Sequence, residues 1–243
     1  MGKRVCDYWQ NMGTKIVRKA KQEELNNTIN LIRQQYSGME IKTKIKEARA
    51  SLGLEVTVSD ELQYLEGENG FGYLRDMLFC QMYAKINRQY ILSIIVNDIL
   101  KFDYDNLDKI ETIHNYIDFS DFIIRKGAVR SYVGERFLLP YNMRDGMLIC
   151  EGKSNPEYNY SSSHGAGRLM SRTQAKKIVD LQTFKDSMIG IFSTSVGQGT
   201  LDESPMAYKD SKLIESLLEP TASIIDRVKP VMNLKDGCGS GHD

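Results

Sequence analysis

The chain has 243 residues, 41% of them hydrophobic and 26% charged, enough for one large domain or two small ones with a substantial core. Lysine and arginine balance aspartate and glutamate at zero net charge, and no tract is of low complexity, which points to a soluble globular protein. No apolar run approaches the ~20 residues that cross a bilayer, so no membrane partner is expected. The opening Met1-Gly2-Lys3-Arg4-Val5-Cys6-Asp7 lacks the apolar stretch of a signal peptide. Cys6, Cys80, Cys150 and Cys238 are scattered without a C-x-x-C pair, which argues against a zinc knuckle or disulfide framework and for reduced thiols in the cytoplasm.

The first predicted elements are helical. Residues 3–36 read as one or two helices, with Ile16, Val17, Leu25, Ile29 and Ile32 at helical spacing. Ser37-Gly38 ends them, and 42–52 gives a second short helix that stops at Gly53. A Gly-rich acidic loop is expected over 66–72. The strongest helical pattern follows over 73–100, with Leu74, Met77, Leu78, Met82, Ile86, Ile91 and Ile95 among its apolar positions. Its most hydrophobic run, 90–96, reads as core. Beyond Asp105, short β-prone runs appear at 110–113, 122–125, 136–139 and 147–150, punctuated by Gly127, Gly134, Pro140 and Gly146. Helical pattern returns after Thr173, after Thr183 and over 211–228, and 236–243 reads as a flexible tail. Helices, then short strands, then helices predict an α+β fold, one domain over 1–235 followed by the tail.

Charge is unevenly spread. Residues 1–50 carry a net +6, 51–124 a net −8, and 125–178 a net +6. The second basic stretch contains the most informative hexapeptide of the chain, Ser163-His164-Gly165-Ala166-Gly167-Arg168. Small residues around a histidine let a backbone approach a ligand closely and turn N–H groups toward an anion. Such a histidine can serve as base, metal ligand or nucleophile, and local positive charge suits a polyanionic substrate. The plain alternative is a Gly-rich loop with a surface histidine in a solvated basic region.

Four further segments stand with the hexapeptide. They are Ile113-His114-Asn115-Tyr116, Arg125-Lys126-Gly127-Ala128, Leu139-Pro140-Tyr141-Asn142-Met143-Arg144-Asp145-Gly146, and Asp202-Glu203-Ser204-Pro205-Met206-Ala207-Tyr208-Lys209-Asp210. Taken together and in this order, they closely resemble the RtcB family of RNA-splicing ligases, over nearly the whole chain. The resemblance implies long helices packed on a mixed or antiparallel β core. It also implies a GTP- and Mn²⁺-dependent enzyme of RNA repair or tRNA splicing. Such enzymes join RNA ends bearing a 2′,3′-cyclic phosphate or 3′-phosphate to 5′-hydroxyl ends.

Carried over residue by residue, His164 is similar to the family's nucleophile, which is guanylylated by GTP through a histidine–phosphorus bond. Gly165, Ala166 and Gly167 would hug the nucleotide, and Arg168 would neutralise phosphate charge. His114 resembles a manganese ligand, and Asn115 lies at the edge of the nucleotide site. Pro140, Tyr141, Asn142 and Met143 match a backbone turn that touches GMP. Tyr208 resembles the ring that stacks on guanine, and Lys235 the lysine that reads the guanine edge. Without the resemblance, His114 reads as a satisfied strand histidine and Tyr208 as ordinary packing, while Arg125 and Lys126 stay open between surface charges and RNA contacts.

Three family segments that supply metal ligands and nucleotide contacts are missing: an Asp…Cys pair in a Gly-rich loop, an Asn-His-x-x-x-Glu segment and a His-x-Gly-Ser-Arg-type loop. The chain therefore resembles the family's C-terminal part. His114 is the one carried-over ligand apart from His164, and His242 in the tail is a poor substitute. Little ligase activity is expected of the isolated chain unless a separately encoded N-terminal half docks to it. Met147 stands where the family usually has a serine that hydrogen-bonds guanine, and a thioether cannot donate. The alternative reading is a non-catalytic nucleotide- or RNA-binding fragment of such a ligase.

Overall fold

The computed structural model describes residues 2–51, 64–233 and 235, in two compact units, Met1–Asn106 and Leu107–Asp243. The expected tail at 236–243, with Cys238 and His242, and the helix stop at Gly53 lie outside the described residues.

The first unit is helical, with α1 (Gly2–Gln35), α2 (Met39–Ser51) and α3 (Gly67–Ile94), the last continued by a π-helical turn, Ile95–Ile99. No proline interrupts 2–35, so the spacing of its apolar residues resolves into one helix. Trp9 ties α1 to α3, its indole N–H donating to Asp76 at 3.1 Å. Two expectations are corrected here. The glycines of 66–72 do not make a loop: α3 begins at Gly67, and Gly70 and Gly72 leave room for the Leu65 backbone and the Trp9 indole. The run 90–96 is not core either, since Tyr90 is 66% exposed and Val96 alone in it is buried. The apolar residues of α3 are spread around the helix, and none of them is buried. No helix among the described residues is long and apolar enough to cross a membrane.

The second unit carries the strands. In chain order they are β1 (Asn115–Ile117), β2 (Ile124–Lys126), β3 (Ala128–Arg130), β4 (Arg136–Asn142), β5 (Gly146–Gly152) and β6 (Ser161–Ser163). Helices α4 (Arg172–Ile178) and α5 (Leu181–Ser187) follow, then β7 (Phe192–Ser193), α6 (Ser211–Leu218), β8 (Ala222–Val228) and β9 (Met232–Asn233). Small sheets form from β1–β2, β3–β6 and β4–β5–β8, all antiparallel, and from the parallel pair β7–β9. Helices with small, mainly antiparallel sheets make the fold α+β, as expected.

Alternation builds the main core. Phe137, Leu139 and Tyr141 of β4 and Leu148 and Cys150 of β5 face inward, and Ile214 and Leu218, four apart on α6, close over them. Burial pushes the Cys150 thiol up to about 11, so this cysteine is inert. A second cluster gathers Met143, Phe184, Met188 and Leu201. Cys6, Cys80 and Cys150 are free thiols.

Two further corrections concern strands. Residues 110–113 form no ladder; Thr112 meets β4 through its hydroxyl, which accepts from the Leu138 N–H at 2.8 Å. The stretch 211–228 is half helix and half strand: α6 ends before Pro220, which cannot continue a helix, and β8 pairs with β5.

A buried ionic cluster fixes the strands around β6. Arg125 is 2% exposed; it pairs with Asp118 at 3.2 Å and Asp121 at 2.8 Å and donates from Nε to Ser161 at 2.9 Å. Arg130 joins it at 3.0 Å from Asp118 and 2.7 Å from Glu135. Arg125 is thus neither a surface charge nor an available RNA contact. Burial pushes both aspartates up. Hydrogen bonds from Ser120 and the Arg130 charge outweigh it at Asp118, and Arg125 does so at Asp121, so both carboxyls lie below the ordinary range. A carboxyl held low in the folded state stabilises fully above its unfolded pKa, and that stabilisation is lost as pH falls through the folded value. Stability of this unit should therefore decline below about pH 4, and less steeply in the Asp118→Asn, Asp121→Asn double variant. Urea denaturation midpoints across acid pH measure this; parallel declines in both proteins would contradict it.

Candidate active site around His164

Strand β6 pairs with β3, setting Ser163 opposite Ala128, so the chain leaves the ladder at His164 beside the β2–β3 turn at Gly127. Gly127 has a φ of 68°, and its N–H is shared by the His114 carbonyl at 2.7 Å and Asn115 Oδ1 at 2.9 Å. Its own carbonyl meets His164 Nδ1. A carbonyl can only accept, so Nδ1 is the donor in this contact, and the neutral ring would present its lone pair at Nε2. The exposed His114 ring stacks on His164, with centroids 4.6 Å apart and planes at 24°.

The hexapeptide is then bound to the sheet edge. Ala166 is buried and its N–H donates to the Pro140 carbonyl at 3.1 Å. Strand β4 is an edge strand with a register irregularity at Pro140, which is where a residue without an N–H fits. The expected turn at Pro140, Tyr141, Asn142 and Met143 is corrected: β4 runs through Asn142, and the turn proper is Met143-Arg144-Asp145. Asn142 Oδ1 pins it, accepting from the N–H groups of Arg144 and Asp145, both at 2.9 Å. Tyr141 is buried with its hydroxyl donating to Glu215 at 2.9 Å, and Met143 fills the second cluster. Of the four, Pro140 is the one whose carbonyl holds the hexapeptide.

Beyond Gly167, whose φ is 71°, two loops run side by side. Leu169 donates to the Ala207 carbonyl at 2.9 Å and Lys209 to the Gly167 carbonyl at 3.1 Å, which sets Arg168 opposite Tyr208. The Arg168 guanidinium lies 4.9 Å over the Tyr208 ring, donates to its hydroxyl at 3.1 Å and also bonds the Asp202 carbonyl. Glu203 collects the rest: Tyr208 donates to it at 2.9 Å, Arg172 at 2.8 Å and Lys235 at 3.3 Å, with Arg168 at 3.6 Å. Burial and then the Glu203 carboxylate push the Tyr208 phenol up to about 12. Burial pushes Glu203 up, but the Tyr208 hydrogen bond and the Lys235 charge outweigh it and hold the carboxyl below its usual range.

The predicted residues therefore fall into two adjoining groups joined by Gly165, Ala166 and Gly167. His114, Asn115, Pro140 and His164 surround Gly127, and Arg168, Tyr208 and Lys235 converge on Glu203. Sequence reasoning missed Gly127, Glu203, Arg172 and Lys209, whose Nζ lies 3.9 Å from where a Cβ on Gly167 would stand. Glu203 and Lys209 stood within a segment singled out for Tyr208 alone. The manganese expectation does not fit these residues by themselves. The ion favours a near-octahedral set of oxygen and nitrogen donors, and no group of three or more His, Cys, Asp or Glu among the described residues could hold a metal.

The close fit at Gly127 has a measurable consequence. A Cβ there would lie 3.4 Å from His164 Cε1, at a φ that costs an L-residue about 1–2 kcal/mol. Gly127→Ala should lose that much stability in urea denaturation and shift the ring resonances of His164. Unmoved resonances would show that the turn does not hold the ring.

Comparison with known proteins gives the family. The chain is 29% identical over 198 residues to the RNA-splicing ligase RtcB of Escherichia coli (strain K12), covering 75% of this chain and 48% of that protein. It is 26% identical over 210 residues to the tRNA-splicing ligase RtcB of Nanoarchaeum equitans, covering 70% and 43%. It is 30% identical over 170 residues to the RNA-splicing ligase RtcB of Mycobacterium bovis, covering 58% and 39%. The chain thus spans about half the length of the curated relatives it matches. The family model described as tRNA-splicing ligase RtcB matches residues 1–236, and on that match the chain belongs to the RtcB family.

Proposed function

We propose that this chain supplies the nucleotide-accepting part of an RtcB-type RNA ligase, with His164 as the group that takes GMP from GTP. The observation that carries the reading is the Gly127 carbonyl on His164 Nδ1, which orients the ring so that the neutral imidazole would offer Nε2 as the nucleophile. In the first step Nε2 forms a bond to the α-phosphorus of GTP, the bridging P–O bond breaks and pyrophosphate leaves. An oxygen of the RNA 3′-phosphate then displaces the histidine, and the 5′-hydroxyl of the second RNA end displaces GMP. Ends bearing a 2′,3′-cyclic phosphate would enter after opening to the 3′-phosphate.

Positioning and charge neutralisation are what this site offers to such steps. Gly165, Ala166 and Gly167 bring the backbone near the phosphates, and Arg168 and Lys209 supply positive charge beside them. A guanine would stack on the Tyr208 face opposite Arg168, with Lys235 at its edge; Asn115 acts by holding the Gly127 turn. The manganese would need oxygen donors from a partner such as a separately encoded N-terminal half. A second reading, a nucleotide-binding module without catalysis, is favoured by the lack of a three-ligand group among the described residues.

Radiolabelled GTP with Mn²⁺, offered to the chain alone and with the N-terminal half of a relative, separates the two. An acid-labile GMP adduct, absent from His164→Ala, supports the ligase reading. GTP binding without an adduct in either arm supports the module.

A further inference from the structure

Glu203 has no part in the proposed chemistry, yet it is the hub of the site. Its side chain is 15% exposed and stands at the end of a short 3₁₀ helix, Gln198–Glu203. We propose that Glu203 is the positioning residue of the nucleotide site, its carboxylate holding the Tyr208 ring, Lys235 and Arg168 in the arrangement that receives the guanine nucleotide. The inference rests on the reading of those three residues as nucleotide contacts.

The geometry gives each bond a job. The Tyr208 ring lies under Arg168, and Glu203 Oε2 accepts from its hydroxyl at 2.9 Å, which sets the tilt of the ring. The same oxygen accepts from Lys235 at 3.3 Å, so ring and ammonium are fixed relative to one another. Arg172 occupies Oε1 at 2.8 Å and keeps the carboxylate from rotating. Arg168 is the loosest member at 3.6 Å, and its buried Nε has no hydrogen-bond partner. Its ion pair with Glu203 is the longest of the set, so Arg168 is the member that can turn toward a phosphate with the least disturbance of the carboxylate. Arg168, Arg172, Lys176 and Lys235 face two carboxylates, Asp202 and Glu203, which leaves a positive surplus suited to a polyphosphate. Without the Glu203 charge, Lys235 and Arg168 would repel each other across the ring.

Glu203→Gln keeps the size of the side chain and removes its charge. Ultraviolet difference titration of the full chain, with Tyr208→Phe identifying the band, should show the Tyr208 phenol ionising at lower pH in Glu203→Gln than in the parent. Calorimetry should show GTP bound about tenfold more weakly, the loss expected for a charged hydrogen bond. Arginine and lysine at 172 and 176 stay paired with Asp202, so thermal melts should stay close to the parent's. An unmoved phenol titration, or equal GTP affinity in a parent that binds GTP, overturns the positioning role alone. A parent that binds no GTP overturns the functional reading and this role with it. Should Glu203→Gln fail to fold, Tyr208→Phe keeps the ring and breaks the same bond; GTP affinity equal to the parent's would then overturn the proposal.

Discussion

His164→Ala is expected to abolish the covalent GMP adduct, a loss of about a thousandfold or more, because no neighbouring group can replace the attacking nitrogen. The adjacent imidazole does not substitute: His114 stacks face to face with His164, so its ring lies parallel to the nucleophile instead of in its place. His164→Asn is the sharper variant, since its amide can still donate to the Gly127 carbonyl and keep the turn in place. It should melt like the parent and yet form no adduct. An adduct that survives in either variant, measured with labelled GTP and the N-terminal half supplied, would move the nucleophile elsewhere. A stable fold without adduct would tie the chemistry to Nε2.

Arg125→Met is expected to cost about 3–5 kcal/mol of stability, because removing one partner of a buried ionic group leaves uncompensated charge. Asp118 is 7% exposed and would keep Arg130 as its one cation, and Asp121 would lose its guanidinium altogether. Lysine should not rescue the site: Arg125 bonds Asp118, Asp121 and Ser161 from three nitrogens, a fork that a single ammonium cannot reproduce. The triple variant Arg125→Met, Asp118→Asn, Asp121→Asn should recover part of the loss, since it removes the orphaned charges as well. Chemical denaturation of the three proteins measures this, and a single-variant cost under about 1 kcal/mol would mean that water reaches the cluster.

Several strands and the candidate loop around His164 were legible because their signals are local. Short β-prone apolar runs at 136–139 and 147–150 marked β4 and β5, and the small residues around His164 marked a loop suited to close approach. Residues 66–72 and 222–228 were misread because the deciding contacts come from far along the chain. Gly72 of α3 makes room for the Trp9 indole, and β5 captures a segment whose pattern continued that of α6. The exposure of 90–96 was equally invisible, since hydrophobicity gives no information about which neighbour is present to cover it.

The site divides in the same way. From the sequence alone came the family resemblance, the order of the motifs and the identity of His164, His114, Tyr208 and Lys235 as candidates. The resemblance supplied these residue by residue; without it His114 reads as a strand histidine and Tyr208 as ordinary packing. Tertiary structure alone decided which nitrogen of His164 meets the Gly127 carbonyl, that Arg125 is a structural ion rather than an RNA contact, and that Glu203 joins Arg168, Tyr208 and Lys235. Each of those depends on a hydrogen bond or ion pair between residues brought together by the packing of β2, β3 and β6 or of two distant loops. Such pairings leave no period in the chain, so only the folded arrangement could reveal them.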